Sequence, residues 1–314
     1  MGDLRSYIDA VQAFGERLAA VDWTWLALAV VLGWLNLALR SRAWQSILRA
    51  AMPDQRIRYR TAFGAYCAGV GVNAIIPARA GDVVKMFLVK RTTPGAGYPV
   101  LVGSLVAETL FDMVVAGGLI IWALTAGILP GVRLPDIPAF EFSLMFRHPS
   151  VTLAVVVILA VAALILAARV RAFWQEFGRG LAIVRTPVSY LRSVVTFQAL
   201  GWGCRVGAAA CFLLAFHVPA SVQNALIVQV AGSLGSLLPA TPGGLGPKQA
   251  LLVVMLAGSA GRTDVLAFSA GMELTLVAAN ALLGFTCLAV MVRNLRLGKT
   301  IAQARQDGKG TAPG

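Results

Sequence analysis

The stretch IPARAG at residues 76–81 decides the fold of this chain, because LPATPG at residues 238–243 repeats its pattern. Each stretch has an apolar residue, then Pro-Ala, two further residues and Gly, and Pro77 and Pro239 are 162 residues apart. Proline removes a backbone donor and glycine weakens a helix, so each stretch is predicted to interrupt one. Interruptions at corresponding places in two apolar halves indicate a transporter built from internal repeats. A chance match of common residues is the alternative.

Composition indicates the class of protein. Hydrophobic residues make up 58% of the chain and charged residues 13%, against about 25% charged in typical soluble domains. Residues 113–132 and 151–168 are uncharged, and residues 206–247 contain no Asp, Glu, Lys or Arg over 42 positions. That length exceeds one span of about 20 residues. We therefore predict an all-α polytopic membrane protein, and no polar segment is long enough to form a soluble domain with its own core.

The net charge of +13 does not indicate nucleic-acid binding, because the arginines lie between apolar spans. Cytoplasmic loops that face anionic lipid headgroups explain them better. The four cysteines lie in apolar segments without the spacing of metal ligands, and we interpret them as small core residues. The sequence contains no P-loop, no HExxH motif and no Ser–His–Asp arrangement, so we expect no metal, no cofactor and no catalytic residues.

Charge and hydrophobicity divide the chain into segments. A single integral membrane domain is predicted at residues 23–292. Its first span is expected to end at Leu39 and to be followed by a basic loop at 40–60. The predicted parts, in chain order, are an interfacial helix (1–22), repeat one (about 23–129), a linker span with an arginine-rich amphipathic helix (150–192), repeat two (about 194–292) and a basic cytoplasmic tail (293–314).

The loops predict how the interrupted segments run. The positive-inside rule places the arginine-rich segments 40–60 and 169–192, and the tail, in the cytoplasm. Residues 80–90 reach only about 16 Å as a helix, against about 30 Å of hydrocarbon. Residues 61–91 are therefore predicted to form a re-entrant hairpin from the cytoplasm, and residues 221–258 one from the opposite face. The result is an inverted-topology repeat of span–hairpin–span units; a plain bundle of seven or eight spans would leave basic residues on the wrong side.

Three short motifs resemble one membrane-protein family. They are NAIIPARAGD at residues 73–82, PGGLGPKQ at 242–249 and RSRAW at 40–44. The chain is similar through them to the flippase-like membrane domain family, named for the transmembrane part of lysylphosphatidylglycerol synthase. The resemblance covers roughly residues 25–292 and implies lipid translocation in the bacterial inner membrane. No segment resembles the aminoacyltransferase domain of the synthases, so lipid aminoacylation is not implied.

The chain departs from the family pattern at two places. The family commonly has Glu-Arg-x-x-Asp in the third segment, where this chain has Glu108 followed by Thr109, with Asp112 after it. It also often has an arginine in the last span near the position of Glu273. If either arginine binds an anionic lipid in relatives, that contact is absent here.

Charged and polar residues at the two interruptions are the candidate substrate-binding groups, because charges at membrane depth are usually functional. Arg79 suits a lipid phosphate, and an internal pair with Asp82 is the alternative. Lys85 is either a second phosphate contact or an interfacial anchor, with the anchor favoured. Lys248 either contacts substrate or pairs with a distant carboxylate. The full predicted set is Asn73, Arg79, Asp82, Lys85, Gly243, Gly244 and Lys248.

Four further residues are predicted to carry charge inside the bundle. Glu108 and Asp112 are four residues apart, so they share one helix face. Two carboxylates in an apolar setting can share protons, which would couple transport to a proton gradient. The alternative is that they pair with Arg79, Lys85 or Arg205 and hold the bundle together. Glu273 has the same two readings, and Arg205 is either a buried charge or an interfacial residue.

The predicted function is a lipid translocase that moves an anionic-headgroup lipid or lipid-linked precursor between leaflets, and not an enzyme. The lipid partner is a membrane phospholipid or an isoprenoid- or hopanoid-type lipid. Further partners are a second copy of the chain or a lipid-synthesis enzyme. A membrane-embedded glycosyl- or group-transferase and a non-transporting scaffold for envelope synthesis are the alternatives. We expect a multi-pass protein with a cytoplasmic C-terminus.

Overall fold

The computed structural model describes residues 20–76, 79–128, 174–235 and 246–310. All regular elements in these ranges are helices. In chain order the longer ones are α1 (Trp23–Ala51), α2 (Tyr59–Ile75), α3 (Ala80–Thr92), α4 (Tyr98–Thr125), α5 (174–180), α6 (Pro187–Ala215), α7 (Val222–Gly235), α8 (Pro247–Met255) and α9 (Arg262–Gly310). A short 3-10 helix, Ala182–Arg185, lies between α5 and α6, and Leu191–Val195 within α6 is π-helical.

Four of these helices are long and apolar enough to cross a membrane: α1, α4, α6 and α9. Large apolar side chains on them are exposed, among them Val114 and Leu274, as expected for surfaces that face lipid. Four shorter helices, α2, α3, α7 and α8, have 17, 13, 14 and 9 residues. At about 1.5 Å per residue each is shorter than about 30 Å of hydrocarbon. Over the described residues the structure confirms an all-helical chain with several candidate membrane spans.

Helices α1 and α6 pack against each other and run in opposite directions. The N–H of Asp22, which precedes α1, donates to the carbonyl of Ala215 at the end of α6 over 3.0 Å. Further along, Leu32 faces Gly207 and Asn36 faces Gly201. The residue numbers rise along one helix as they fall along the other. Helix α1 therefore begins at one end of the bundle and finishes at the opposite end.

The α2–α3 pair opens at the end of the bundle where α1 finishes. The two helices pack side by side, and the side chain of Gln55, before α2, lies against Gly95, after α3. Glu176 lies beside Gly97 at the same end. The segments before and after this hairpin therefore share one end of the bundle.

The α7–α8 pair opens at the other end. Its helices also pack side by side, and the hydroxyl of Ser259, after α8, donates to Asn224 at the start of α7 over 3.2 Å. Asn224 in turn donates to the carbonyl of Pro219 over 2.8 Å, a few residues beyond the end of α6. The two hairpins thus open towards opposite ends of the bundle.

Each hairpin also packs on the long helix of the other half of the chain. Helix α2 lies on α9, and α7 lies on α4. The α2–α9 contact is closest at two glycines, where a Cβ on Gly71 would lie 2.7 Å from the Cα of Gly284. Small residues at such crossings let helix backbones approach in a membrane. Two apolar cores result, one around Trp44 and one around Phe212.

Several predicted boundaries were wrong. Helix α1 continues to Ala51, so the basic loop predicted at 40–60 is reduced to residues 52–58. The extension holds because Trp44 and Leu48 are buried on its inner face. Helix α6 begins at Pro187 rather than Val194, since Pro fits a first helical turn. The predicted interfacial helix at 1–22 falls almost wholly outside the described residues, as do the linker span at 151–168 and Gly243 and Gly244.

Candidate functional site

A cavity of about 450 Å³ lies between α1, α2, α3 and α4. Six of the residues proposed from the sequence line it. Apolar side chains of α4 complete the wall, including Val106, which is exposed on the surface of the bundle. The cavity therefore combines charged groups with an apolar edge. The six predicted residues in its wall are Asn73, Arg79, Asp82, Lys85, Glu108 and Asp112.

Lys85 and Glu108 form a buried ion pair at the centre of this wall. The Lys85 Nζ lies 2.7 Å from Oε2 of Glu108, and both side chains are buried. The same Nζ lies 4.1 Å from the ring centre of Trp44 and 4.0 Å from that of Tyr66. Aromatic faces attract a cation when water is excluded. Lys85 is thus held from three sides and is not the interfacial anchor that the sequence favoured.

Arg40 connects the two carboxylates of α4. Its Nη1 and Nη2 donate to the two oxygens of Asp112 over 2.9 and 2.6 Å. Its Nη2 also donates to Glu108 over 3.3 Å, and its Nε donates to the Tyr66 hydroxyl over 2.7 Å. The fork of a guanidinium fits a carboxylate in this two-point manner.

Tyr66 and Trp202 complete the hydrogen bonding of the carboxylates. The Tyr66 hydroxyl donates to Oε1 of Glu108 over 2.7 Å, and the Trp202 indole donates to Oδ1 of Asp112 over 3.0 Å. We call Arg40, Tyr66, Lys85, Glu108 and Asp112 the α4 charge cluster. It contains two cations and two carboxylates, so its net charge is zero. Buried charges are tolerated when paired in this way, whereas loss of one partner costs about 3–5 kcal/mol.

The hairpin tip at the mouth of the cavity is held by Asn73. Its Oδ1 accepts the N–H of Gly81 over 2.7 Å, which satisfies one of the free donors at the start of α3. A Cβ on Gly81 would overlap the carbonyl oxygen of Gly69, so glycine is required there. Arg79 has a left-handed backbone with φ of 56° and an exposed side chain. In the described part of the chain no salt bridge joins Arg79 to Asp82, which leaves the guanidinium open to a ligand.

The second half of the chain contains a corresponding ion pair. Lys248, on the helix after the second interruption, lies 2.6 Å from Oε2 of Glu273 on the following span. Both side chains are largely buried, with 13% and 10% exposed. Of the two alternatives for Lys248, the structure shows the distant carboxylate partner. Lys248 also lines a second cavity of about 170 Å³.

Arg205 lines that second cavity and stacks on Trp202. Its guanidinium carbon lies 4.4 Å from the ring centre of Trp202. The carbonyl of Arg205 accepts a hydrogen bond from Gln229 of α7 over 3.2 Å. Lys248 and Arg205 both line this cavity. Glu273 is connected to it through its ion pair with Lys248.

Arg40 and Tyr66 are the site residues that the sequence did not identify. The RSRAW motif did draw attention to Arg40, but the arginine-rich composition of 40–60 assigned it to a loop. Its partner Asp112 lies 72 residues away, so no local spacing connects them. The carboxylates were expected to pair with Arg79, Lys85 or Arg205 if they paired at all. Lys85 does pair with Glu108, and Arg40 takes the remaining place.

Comparison with known proteins identifies a membrane-protein family. The chain is 28% identical over 309 aligned residues to a protein named glycosyltransferase AglD from Haloferax volcanii, with 84% of this chain and 48% of that protein covered. The chain thus spans about half the length of that relative. No solved structure matches. Residues 8–284 match the family described as the lysylphosphatidylglycerol synthase TM region, and the chain belongs to that family.

Proposed function

We propose that the protein is a lipid translocase, which moves a lipid with an anionic headgroup between the leaflets of the membrane. The observation that carries this proposal is the cavity of about 450 Å³ with Arg79 in its wall. Arg79 is a cation without a carboxylate partner in the described residues, and always-charged guanidinium groups bind phosphate well. Val106 at the edge is exposed on the surface of the bundle. A headgroup can enter such a cavity while its acyl chains stay in lipid.

We further propose that the two halves form an inverted repeat. Lys85 and Lys248 are 163 residues apart, and Glu108 and Glu273 are 165 apart. Each pair joins the second helix of a hairpin to the span that follows it. The first spans of the two halves, α1 and α6, run in opposite directions, and the hairpins open towards opposite ends. An inverted repeat of this kind can alternate between two states that expose one site to opposite faces.

Each ion pair joins a hairpin to a span, and these are the parts that would move relative to each other during transport. Lys85–Glu108 fixes the first hairpin to α4, and Lys248–Glu273 fixes the second to α9. We propose that the two pairs loosen in alternation as the headgroup passes. Each pair would then act as a gate for its own half. Proton coupling through Glu108 and Asp112 remains a prediction, now with both carboxylates paired to cations.

The basic residues support an orientation with the C-terminus in the cytoplasm. Gln55, Gly95 and Glu176 lie at one end of the bundle, and Met291 near the end of the α9 span packs on Gly64 of α2 close to that end. The arginine-rich loop segments therefore share one end with Arg293. Cytoplasmic loops carry such an excess of Lys and Arg. We propose the bacterial inner membrane as its location, because the family resemblance implies it.

Group transfer to a lipid is the second candidate. It is favoured by the name of the Haloferax volcanii relative, of which this chain covers 48%. A transferase must bind a donor and convert the lipid chemically. A translocase leaves the lipid unchanged, so mass analysis of lipid after incubation separates the two candidates.

Reconstitution in liposomes tests the proposal. Purified protein is incorporated into vesicles that contain a labelled phosphatidylglycerol, an isoprenoid phosphate or a labelled choline lipid, and transbilayer movement is followed by quenching from outside. We expect movement of at least one anionic lipid to accelerate, and Arg79→Gln to slow it at least tenfold. Arg91→Gln, on an exposed residue of the same helix, is the matched control. Folded protein that accelerates no anionic lipid would contradict the proposal.

A further inference from the structure

The two halves of the chain differ at one charged position. Arg40 and Arg205 are 165 residues apart, the same separation as Glu108 and Glu273. Arg205 is thus the counterpart of Arg40 in the second half. The residue at the same separation from Asp112 is Val277. The second half therefore has the arginine without the carboxylate that neutralises it in the first.

The structure shows the consequence of that difference. Arg40 is bound at two points by Asp112, whereas no carboxylate in the described residues forms a salt bridge with Arg205. Both oxygens of Asp112 accept hydrogen bonds from Arg40. Arg205 instead rests its guanidinium on Trp202. Its charge is thus left without a direct counter-ion.

The cavity beside Arg205 is partly open and combines a few polar side chains with a larger apolar wall. The second cavity, of about 170 Å³, is lined by Arg205, Lys248, Gln229, Asn36 and Asn280 among others. A water molecule takes about 30 Å³ of liquid volume, so the space admits a phosphate group or several waters. Asn36 has a buried amide oxygen with no hydrogen-bond partner in the described part of the chain. A bound water would satisfy it.

We propose that the second cavity binds a phosphate group through Arg205, in the place that a carboxylate occupies in the first half. Lys248 supplies a second positive charge, shared with Glu273. The phosphate can come from a lipid headgroup or from free phosphate. In the first case the inference rests on the proposed function, and Arg205 forms a second binding site for the headgroup in addition to Arg79. In the second case the protein carries a separate anion site.

Thermal unfolding of the purified full-length protein in detergent tests this inference. The Arg79→Gln background removes the other proposed phosphate contact. In that background we add inorganic phosphate, glycerol phosphate or short-chain phosphatidylglycerol and measure the shift in melting temperature. We expect at least one of them to stabilise the protein, and Arg205→Gln to weaken its apparent affinity at least tenfold. Stabilisation by inorganic phosphate indicates a free-anion site, and stabilisation by the lipid alone indicates a headgroup site.

A second variant installs the missing carboxylate. In Val277→Asp the new side chain lies four residues after Glu273, as Asp112 does after Glu108. We expect it to neutralise Arg205 and abolish the phosphate-dependent shift. Arg40→Gln is the contrasting variant. We expect it to lower the melting temperature without ligand, because it removes one cation from the neutral α4 charge cluster and leaves a carboxylate unpaired. A phosphate-dependent shift that is equal with Arg205 and with Gln at this position would overturn the inference. Failure of lipid movement in liposomes with an intact phosphate shift would contradict the proposed function alone.

Discussion

The most quantitative prediction concerns the Lys85–Glu108 pair. Lys85→Met keeps the length of the side chain and its contact with Trp44 and Tyr66 but removes its charge. Breaking a buried pair costs about 3–5 kcal/mol when the other charge is left unpaired. Glu108 keeps a hydrogen bond of 3.3 Å from Arg40 and one of 2.7 Å from Tyr66. We therefore expect a loss of about 3 kcal/mol, at the lower end of that range.

A double-mutant cycle isolates the pair itself. Unfolding free energies are measured by denaturing-detergent titration for Lys85→Met, for Glu108→Gln and for the double variant. We expect the double variant to be less destabilised than the sum of the two single variants, with a coupling energy of at least about 1 kcal/mol. Lys90→Met, on the exposed side of the same helix, is the matched control. Its Nζ lies 3.8 Å from the ring centre of Tyr98, so the change should cost no more than about 1 kcal/mol. Additive single effects would refute the reasoning.

Three further perturbations test the packing and the tip. Gly71→Ala should destabilise the protein by about 1–3 kcal/mol, since the new Cβ meets the Gly284 backbone; Gly118→Ala, with open space around it, should not, as melting curves will show. Tyr66→Phe should lower the free energy of unfolding by about 1.5–3 kcal/mol in the same measurement, because its hydroxyl forms hydrogen bonds with two charged groups. An unchanged stability would show that this hydroxyl does not stabilise the α4 charge cluster. Asn73→Ala should speed hydrogen exchange at Gly81, and unchanged exchange would contradict the cap.

The first interruption was predictable because proline and glycine act locally on the backbone. IPARAG ends α2 at Ile75, and α3 begins at Ala80. The position of Lys248 on the helix after the second interruption was likewise clear from the sequence. Its partner was not, because Glu273 lies 25 residues further along the chain and helix packing decides which carboxylate it meets.

Arg40 shows why the rest of the site could not be predicted. The positive-inside rule counts charge near the ends of spans and does not distinguish a loop arginine from one buried four residues before Trp44. Arg40 becomes a cluster member only through contacts with α2 and α4, 26 and 72 residues away. The sequence alone favoured an anchor role for Lys85 for the same reason. Long-range pairing between helices carries no local signal.

We expect the two hairpins to open towards opposite faces of the membrane. The direct measurement is side-specific labelling of single cysteines at Gln55, Gly95 and Ser259, in a protein whose four native cysteines have been replaced. We expect positions 55 and 95 to react with a membrane-impermeant reagent from the cytoplasmic side alone, and position 259 from the opposite side alone. Labelling of positions 55 and 95 from opposite sides would contradict this expectation.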